Sequence, residues 1–286
     1  MLTQITDENI RYFYGLLGPY WDSRNDSDAF IGGIDEDGDA VSACVLEGDG
    51  MDLIIRFIAV TPSRQREGIG SEFLTDILMY AFNQGFRSLG AVYFKDENED
   101  NGWEEFLKEC GFEVTDTGLT RNFFSFDEVR NKLKKGSDKL PDEYIIKRSS
   151  SLSTKEALEL YDLEMTRDEK GGYLDAETVL SSGNRYGGVV FKDGKIAAAV
   201  SAIPFKNDLR LDTLLILDES KELEGCLMNY VFSQVEKEKV PPKMICFETV
   251  DDEMSQRFLE SYSKQGLHPV KDQKAYRAYR EVRYGH

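Results

Sequence analysis

Residues 53–60 form an apolar run broken only by Arg56, the pattern of a buried strand. Residues 71–84 then place Phe73, Leu74, Ile77, Leu78 and Ala81 at spacings of one, three and four, which predicts an amphipathic helix. The intervening stretch is polar and carries Pro62, Gln65, Gly68 and Gly70. Around this centre the first half of the chain predicts a helix over 8–17, capped by Thr6 or Asp7. Residues 29–34 and 40–46 predict a hairpin that turns through Asp35-Glu36-Asp37-Gly38-Asp39. A strand over 88–94, a helix over 103–109 and strands over 113–115 and 120–126 follow.

The second half repeats this order. It predicts a strand at 144–148, helices at 154–165 and 176–181, and a hairpin of 188–192 with 195–204. A strand at 210–217, a helix at 221–237, a strand at 243–249, a helix at 253–264 and a last strand at 275–282 complete it. The charged stretch 127–142 reads as a short helix and a linker. The expected organisation is one unit over 1–126, a linker over 127–142 and a second unit over 143–286.

The junction at 60–71 carries the chemistry. Glycine lets a ligand approach the backbone closely and permits a tight turn into a helix. A helix N-terminus offers free N–H groups and partial positive charge, which suits a phosphate or pyrophosphate. Arg64 and Arg66 add positive charge to a strongly acidic chain. The structural alternative is a loop whose glycines only cap and turn. The dinucleotide fingerprint fits less well, because this loop has a proline and Gln65-x-x-Gly68-x-Gly70 rather than G-x-G-x-x-G.

The run Val60-x-Pro62-x-x-Gln65-x-x-Gly68-x-Gly70, with its strand before and helix after, resembles the acetyl-CoA signature of the GCN5-related N-acetyltransferases, the GNAT family. The resemblance implies an α/β (α+β mixed sheet) fold. Two tandem GNAT-like domains are expected, each a mostly antiparallel twisted sheet flanked by helices. It implies acetyl-CoA as co-substrate. The end of the strand, through Phe57, Ile58, Ala59 and Val60, would bind the pantetheine arm. The loop amides of Gln65, Arg66, Glu67, Gly68, Ile69, Gly70 and Ser71 would bind the pyrophosphate, and Asn101 lies close to the position of a family asparagine.

Acyl transfer from a thioester to an amine needs donors for the oxyanion, a neutral amine and a proton for the leaving thiolate. The family often supplies that proton from a Tyr-x-x-x-Gly-Phe segment. Here Leu107 stands at the Tyr position before Gly111-Phe112. Tyr93 is the alternative acid. The family's Glu on the strand before the loop is missing, and Asp52, just ahead of that strand, is the candidate base. Arg56 reads either as a contact for an anionic substrate group or as the partner of a structural carboxylate. In the second half, Tyr262-x-x-x-Gly266-Leu267 resembles the missing segment, as a relic packed in its own core or as part of a composite site. The turn there, Asp218-Glu219-Ser220-Lys221-Glu222-Leu223-Glu224-Gly225, brings carboxylates where a pyrophosphate would sit, so the second unit reads as a degenerate copy.

The net charge of −18 argues against nucleic-acid or membrane partners. It favours a small-molecule or peptide amine, with plain solubility as the alternative reading. Cys44, Cys110, Cys226 and Cys246 have no C-x-x-C spacing and read as buried thiols. With two histidines, His268 and His286, no metal site is expected. No charged-then-apolar leader or membrane-length run is visible, so a cytoplasmic protein is expected. Tandem units suggest a monomer with an internal pseudo-dimer, or a homodimer. The leading function is an acetyl-CoA-dependent N-acetyltransferase; the alternative is an acyl-CoA-binding sensor or interaction module with little turnover.

Overall fold

A computed structural model describes residues 1–25, 27–96, 102–133, 140–166, 172–181, 186–205, 207–218, 220, 222–250 and 253–282. Two compact units are present, one of Met1–Thr117 with Lys274–His286, the other of Gly118–Gln273. The units differ from the expected contiguous 1–126 and 143–286. The last strand of the chain belongs to the first unit, and residues 118–126 belong to the second.

The first unit contains β1 (Leu2–Gln4), α1 (Ile10–Leu17), α2 (Pro19–Asp22), β2 (Asp28–Ile34), β3 (Ala40–Asp49) and β4 (Asp52–Val60). Then come α3 (Ile69–Asn83), β5 (Ser88–Asp96), α4 (Trp103–Glu109) and the beginning of β6 (Glu113–Ser125). The second unit continues with α5 (Phe126–Leu133), β7 (Tyr144–Arg148), α6 (Thr154–Thr166), β8 (Gly172–Tyr173), α7 (Ala176–Leu180), β9 (Gly188–Lys192) and β10 (Lys195–Phe205). It ends with β11 (Asp208–Ile216), α8 (Leu223–Val235), β12 (Met244–Thr249) and α9 (Glu253–Lys264); β13 (Lys271–Glu281) returns to the first unit. The short β1, α2 and β8 have no periodic signal in the sequence. The two expected strands at 113–115 and 120–126 are one long strand, β6. Helix α1 begins later than expected, with Asn9 rather than Thr6 or Asp7 at its N-cap.

In the first unit the strands run in the order β1-β2-β3-β4-β5-β13-β6. Neighbours are antiparallel from β1 to β4, while β4 and β5 are parallel. Successive side chains of a strand face opposite sides. Accordingly Ile31, Cys44 and Leu46 pack with α3 through Phe73, Leu74 and Ile77. Phe30, Ala43 and Val45 pack on the other face with Phe13 and Leu17 of α1. Ala278 of β13 is buried in the α3-side core. The carbonyl of Ala278 would sit 3.4 Å from a Cβ on Gly90, so glycine in β5 leaves room for the last strand. Sequence periodicity cannot show this, because β13 alternates in the same way whichever edge it covers.

In the second unit the order is the end of β6, then β12-β11-β10-β9-β7, with β8 also on β11. Its core joins Phe124, Phe126, Leu211, Leu227, Phe232 and Phe247 with Tyr262. A second cluster places Leu160 of α6 and Val179 of α7 against Val189, Ala199 and Leu215. Among the described residues no helix is long and apolar enough to cross a membrane.

Candidate functional site

The site of the first unit begins with a break in sheet pairing. Strands β4 and β5 pair from Asp52↔Ser88 to Ile55↔Ala91. Both strands continue past that point, to Val60 and Asp96. On its other side β4 stays paired with β3, where Leu46 opposes Ile55 and Val45 opposes Phe57. Arg56 is therefore the extra residue of a β-bulge. A bulge bends its strand and strengthens the local twist, and here it coincides with the separation of β4 from β5. Residues 56–60 keep an edge without a ladder partner in β5.

The gap is a cavity of 220 Å³ lined by Ile55, Arg56, Phe57, Ile58, Ala91, Val92, Tyr93 and Trp103. Phe57 stacks on Tyr20 of α2 with centroids 4.3 Å apart. The Arg56 guanidinium pairs with Asp28 at 3.4 Å and Glu47 at 3.3 Å, so it serves a structural carboxylate pair. Ile58 lines the cavity, and Ala59 and Val60 continue the same open edge toward the loop.

The loop after β4 is held from several sides. The amide of Thr61 donates to the carbonyl of Val41 at 2.9 Å. The Gln65 side-chain amide donates to the carbonyl of Val60 at 3.2 Å. The Arg64 guanidinium bridges Glu67 at 2.7 Å and Asp35 at 3.0 Å. Asp35 is fixed in turn by the amides of Asp37 and Asp39. The Asp39 amide leads the influences that hold the Asp35 carboxyl below its ordinary pKa. This explains why the acidic hairpin turn lies beside a loop that carries arginines.

Within this frame Gly68 caps α3 in the left-handed region, at φ 85°. Arg66 also has positive φ, 69°, which is rare and costly for a non-glycine residue. The amides of Ser71 and Glu72 both turn back to the carbonyl of Gly68. Those of Gln65, Arg66, Glu67, Gly68, Ile69 and Gly70 find no acceptor among the described residues. Six consecutive unpaired donors at the start of a 15-residue helix form an anion receptor. Gly70, the second residue of α3, has room around it within the protein. A Cβ there would make ordinary contacts, 3.4 Å to Phe106 and 3.6 Å to Val60. Backbone conformation requires glycine at position 68; at position 70 the fold tolerates a side chain.

Tyr93 lies on the cavity wall, and its hydroxyl is buried without a partner among the described residues. Its ring packs edge-on to Trp103 at 6.3 Å and stacks on Tyr276 at 5.6 Å. Burial, followed by the charge of Glu104 and by Tyr276, pushes its phenol up to about 12. Tyr276 comes from β13 and has no local signal in the sequence. Leu107, at the position of the family tyrosine, is fully buried in the α3-side core, and α4 turns Trp103 rather than Leu107 to the cavity. Asp52 does not line the cavity. Its carboxylate accepts from the Ser88 hydroxyl at the paired end of β4 and β5. Asn101 lies outside the described residues. Tyr262 is fully buried among Phe124, Phe247 and Phe258, packed in the core of the second unit.

The sequence profile described as "Acetyltransferase (GNAT) family" matches residues 3–112. No curated protein sequence matches the chain. Among solved structures, a tandem GNAT protein from the clavulanic acid biosynthesis pathway is similar over 100% of this chain and 99% of its own, with a TM-score of 0.74 and 14% identity. A GCN5-related N-acetyltransferase from Sphaerobacter thermophilus is similar over 93% of this chain and 84% of its own, with a TM-score of 0.54 and 12% identity. Residues 3–112 thus match the profile of the acetyltransferase (GNAT) family, and the whole chain has the fold of a tandem GNAT protein.

Proposed function

We propose that the chain transfers an acetyl group from acetyl-CoA to a primary amine of a small molecule or peptide, and that the reaction takes place in the first unit. The observation that carries this reading is the run of six unpaired amides from Gln65 to Gly70, directly beyond the open edge of β4. The amides suit the pyrophosphate, and the edge at 57–60 suits the amide groups of the pantetheine arm.

In this reading the thioester carbonyl lies near the separation of β4 and β5. A backbone N–H of the open edge stabilises the oxyanion as the amine nitrogen attacks. The C–N bond forms, the C–S bond breaks, and the thiolate takes a proton. Tyr93 is the donor we assign, because its buried hydroxyl lies on the cavity wall and its raised pKa keeps it protonated at neutral pH. No carboxylate is among the described residues that line the cavity. The proton of the acceptor ammonium therefore leaves through water, and Asp52 takes part as a base only through such water. The charge of −18 favours a cationic acceptor.

The other reading is a module that binds acyl-CoA with little turnover. The buried Leu107 in place of the family tyrosine favours it. An amine panel with acetyl-CoA separates the two. Release of free CoA that depends on one amine and vanishes in Gly70→Asp supports the enzyme. Binding without amine-dependent release supports the module. Absence of binding to folded protein overturns both.

A further inference from the structure

The second unit repeats the bulge and the strand separation of the donor cleft. Strand β11 carries a bulge at Asp212, since Ala202 opposes Leu211 and Ser201 opposes Thr213. Its parallel pairing with β12 stops at Leu211↔Phe247, the residue before the bulge. In the first unit the parallel pairing likewise stops at Ile55, just before the bulge at Arg56. Leu214 and Leu215 thus correspond to Ile58 and Ala59 of the open edge.

In the second unit that edge is taken. Val200 and Ala199 of β10 cover one side of Leu214 and Leu215. Strand β8 pairs with the same two residues, Leu214↔Tyr173 and Leu215↔Gly172. A strand has two edges, so β8 occupies the one that faces the gap toward β12. Several described groups of the turn that follows are engaged as well. The amides of Leu217 and Asp218 donate to the carbonyl of Ala197, and that of Leu223 donates to the carbonyl of Ser220. The Asp218 carboxylate pairs with Lys192 at 3.0 Å. Glu224, second residue of α8, stands where Gly70 stands in α3, and it places a carboxyl in the first helical turn.

We propose that the second unit holds a cleft sealed by the chain itself, in which β8 substitutes for the pantetheine arm, so that each chain takes up a single acyl-CoA. This rests on the reading of the open β4 edge as the donor site.

Two measurements on the full chain test it. Equilibrium dialysis with radiolabelled acetyl-CoA should give one molecule per chain in the wild type and none in Gly70→Asp. Two per chain, or one surviving in Gly70→Asp, would overturn the proposal. Hydrogen exchange on the free protein should find the amides of 213–216 that point away from β10 slow and those of 57–60 that point away from β3 fast, and acetyl-CoA should slow those of 57–60 and leave 213–216 unchanged. Equally fast exchange at 213–216 in the free protein would overturn the sealed edge, whatever the binding result. If acetyl-CoA does not bind while 213–216 stay protected, the donor-site reading fails and the sealed edge stands.

Discussion

Tyr276 of the last strand stacks on Tyr93 of β5, with ring centroids 5.6 Å apart and ring planes 21° apart. The residue assigned as proton donor is thus held by a residue from the far end of the chain. Tyr93→Phe keeps the ring and removes the proton. It should lower kcat by about 10²-fold, the lower end for a general acid because a thiolate leaves readily. The KM for acetyl-CoA should stay unchanged. Tyr276→Phe, which keeps the stack, should behave like the wild type. An unaltered kcat in Tyr93→Phe would remove Tyr93 from the mechanism.

The same stack sets a pH dependence. The phenol of Tyr93 is raised to about 12, so its protonated form persists to that pH. Activity should then rise with pH as the acceptor amine becomes neutral, levelling near about 10.4 for a lysine-like amine. No fall from Tyr93 is expected below about pH 12. Tyr276→Ala opens the ring to water and moves the phenol down toward its ordinary value, so a falling limb should appear at lower pH than in the wild type. A pH–rate profile that is identical in the two proteins would contradict this link.

Gly68 and Gly70 should separate in their effects. Gly68→Val forces a β-branched residue into φ 85° and should destabilise the fold by about 1–2 kcal/mol, besides weakening acetyl-CoA binding. Gly70→Asp adds a carboxylate to the anion receptor where a Cβ fits, so it should unfold near the wild-type temperature yet lose the ligand-induced shift. In the wild type, acetyl-CoA at 100 times its Kd should add about 2.7 kcal/mol of stability. Thermal unfolding with and without acetyl-CoA distinguishes the two variants.

Gly32 has a packing role. A Cβ on it would lie 2.3 Å from Cε1 of Phe13, which is buried between α1 and the sheet. Gly32→Ala must displace that ring and should cost about 1–3 kcal/mol. Denaturant unfolding measures this, and a loss within error of zero would show that α1 moves freely from the sheet.

Asp52→Asn tests the remaining candidate base. The carboxylate is engaged by Ser88 away from the cavity lining, so the expected result is a change in stability with kcat within about 2-fold of the wild type. A large loss of kcat with intact folding would restore Asp52 to the chemistry.

The sequence by itself determined the features that depend on a few consecutive residues. The loop from Pro62 to Gly70 was legible because its proline, its glycines and the helix behind it act locally on backbone conformation. The helices at 103–109 and 253–264 were legible because apolar spacing alone defines a helical face. Tertiary structure decided what depends on partners distant in sequence. The bulge at Arg56 exists only relative to Val45 and Leu46, so no inspection of residues 53–60 reveals it. The two-residue strand β8 is too short for a period, yet its pairing with Leu214 and Leu215 closes the second cleft. Strand β13 alternates as any half-buried strand does. Its place beside β5, which brings Tyr276 onto Tyr93, follows from which sheet edge it covers, and periodicity carries no information about that choice.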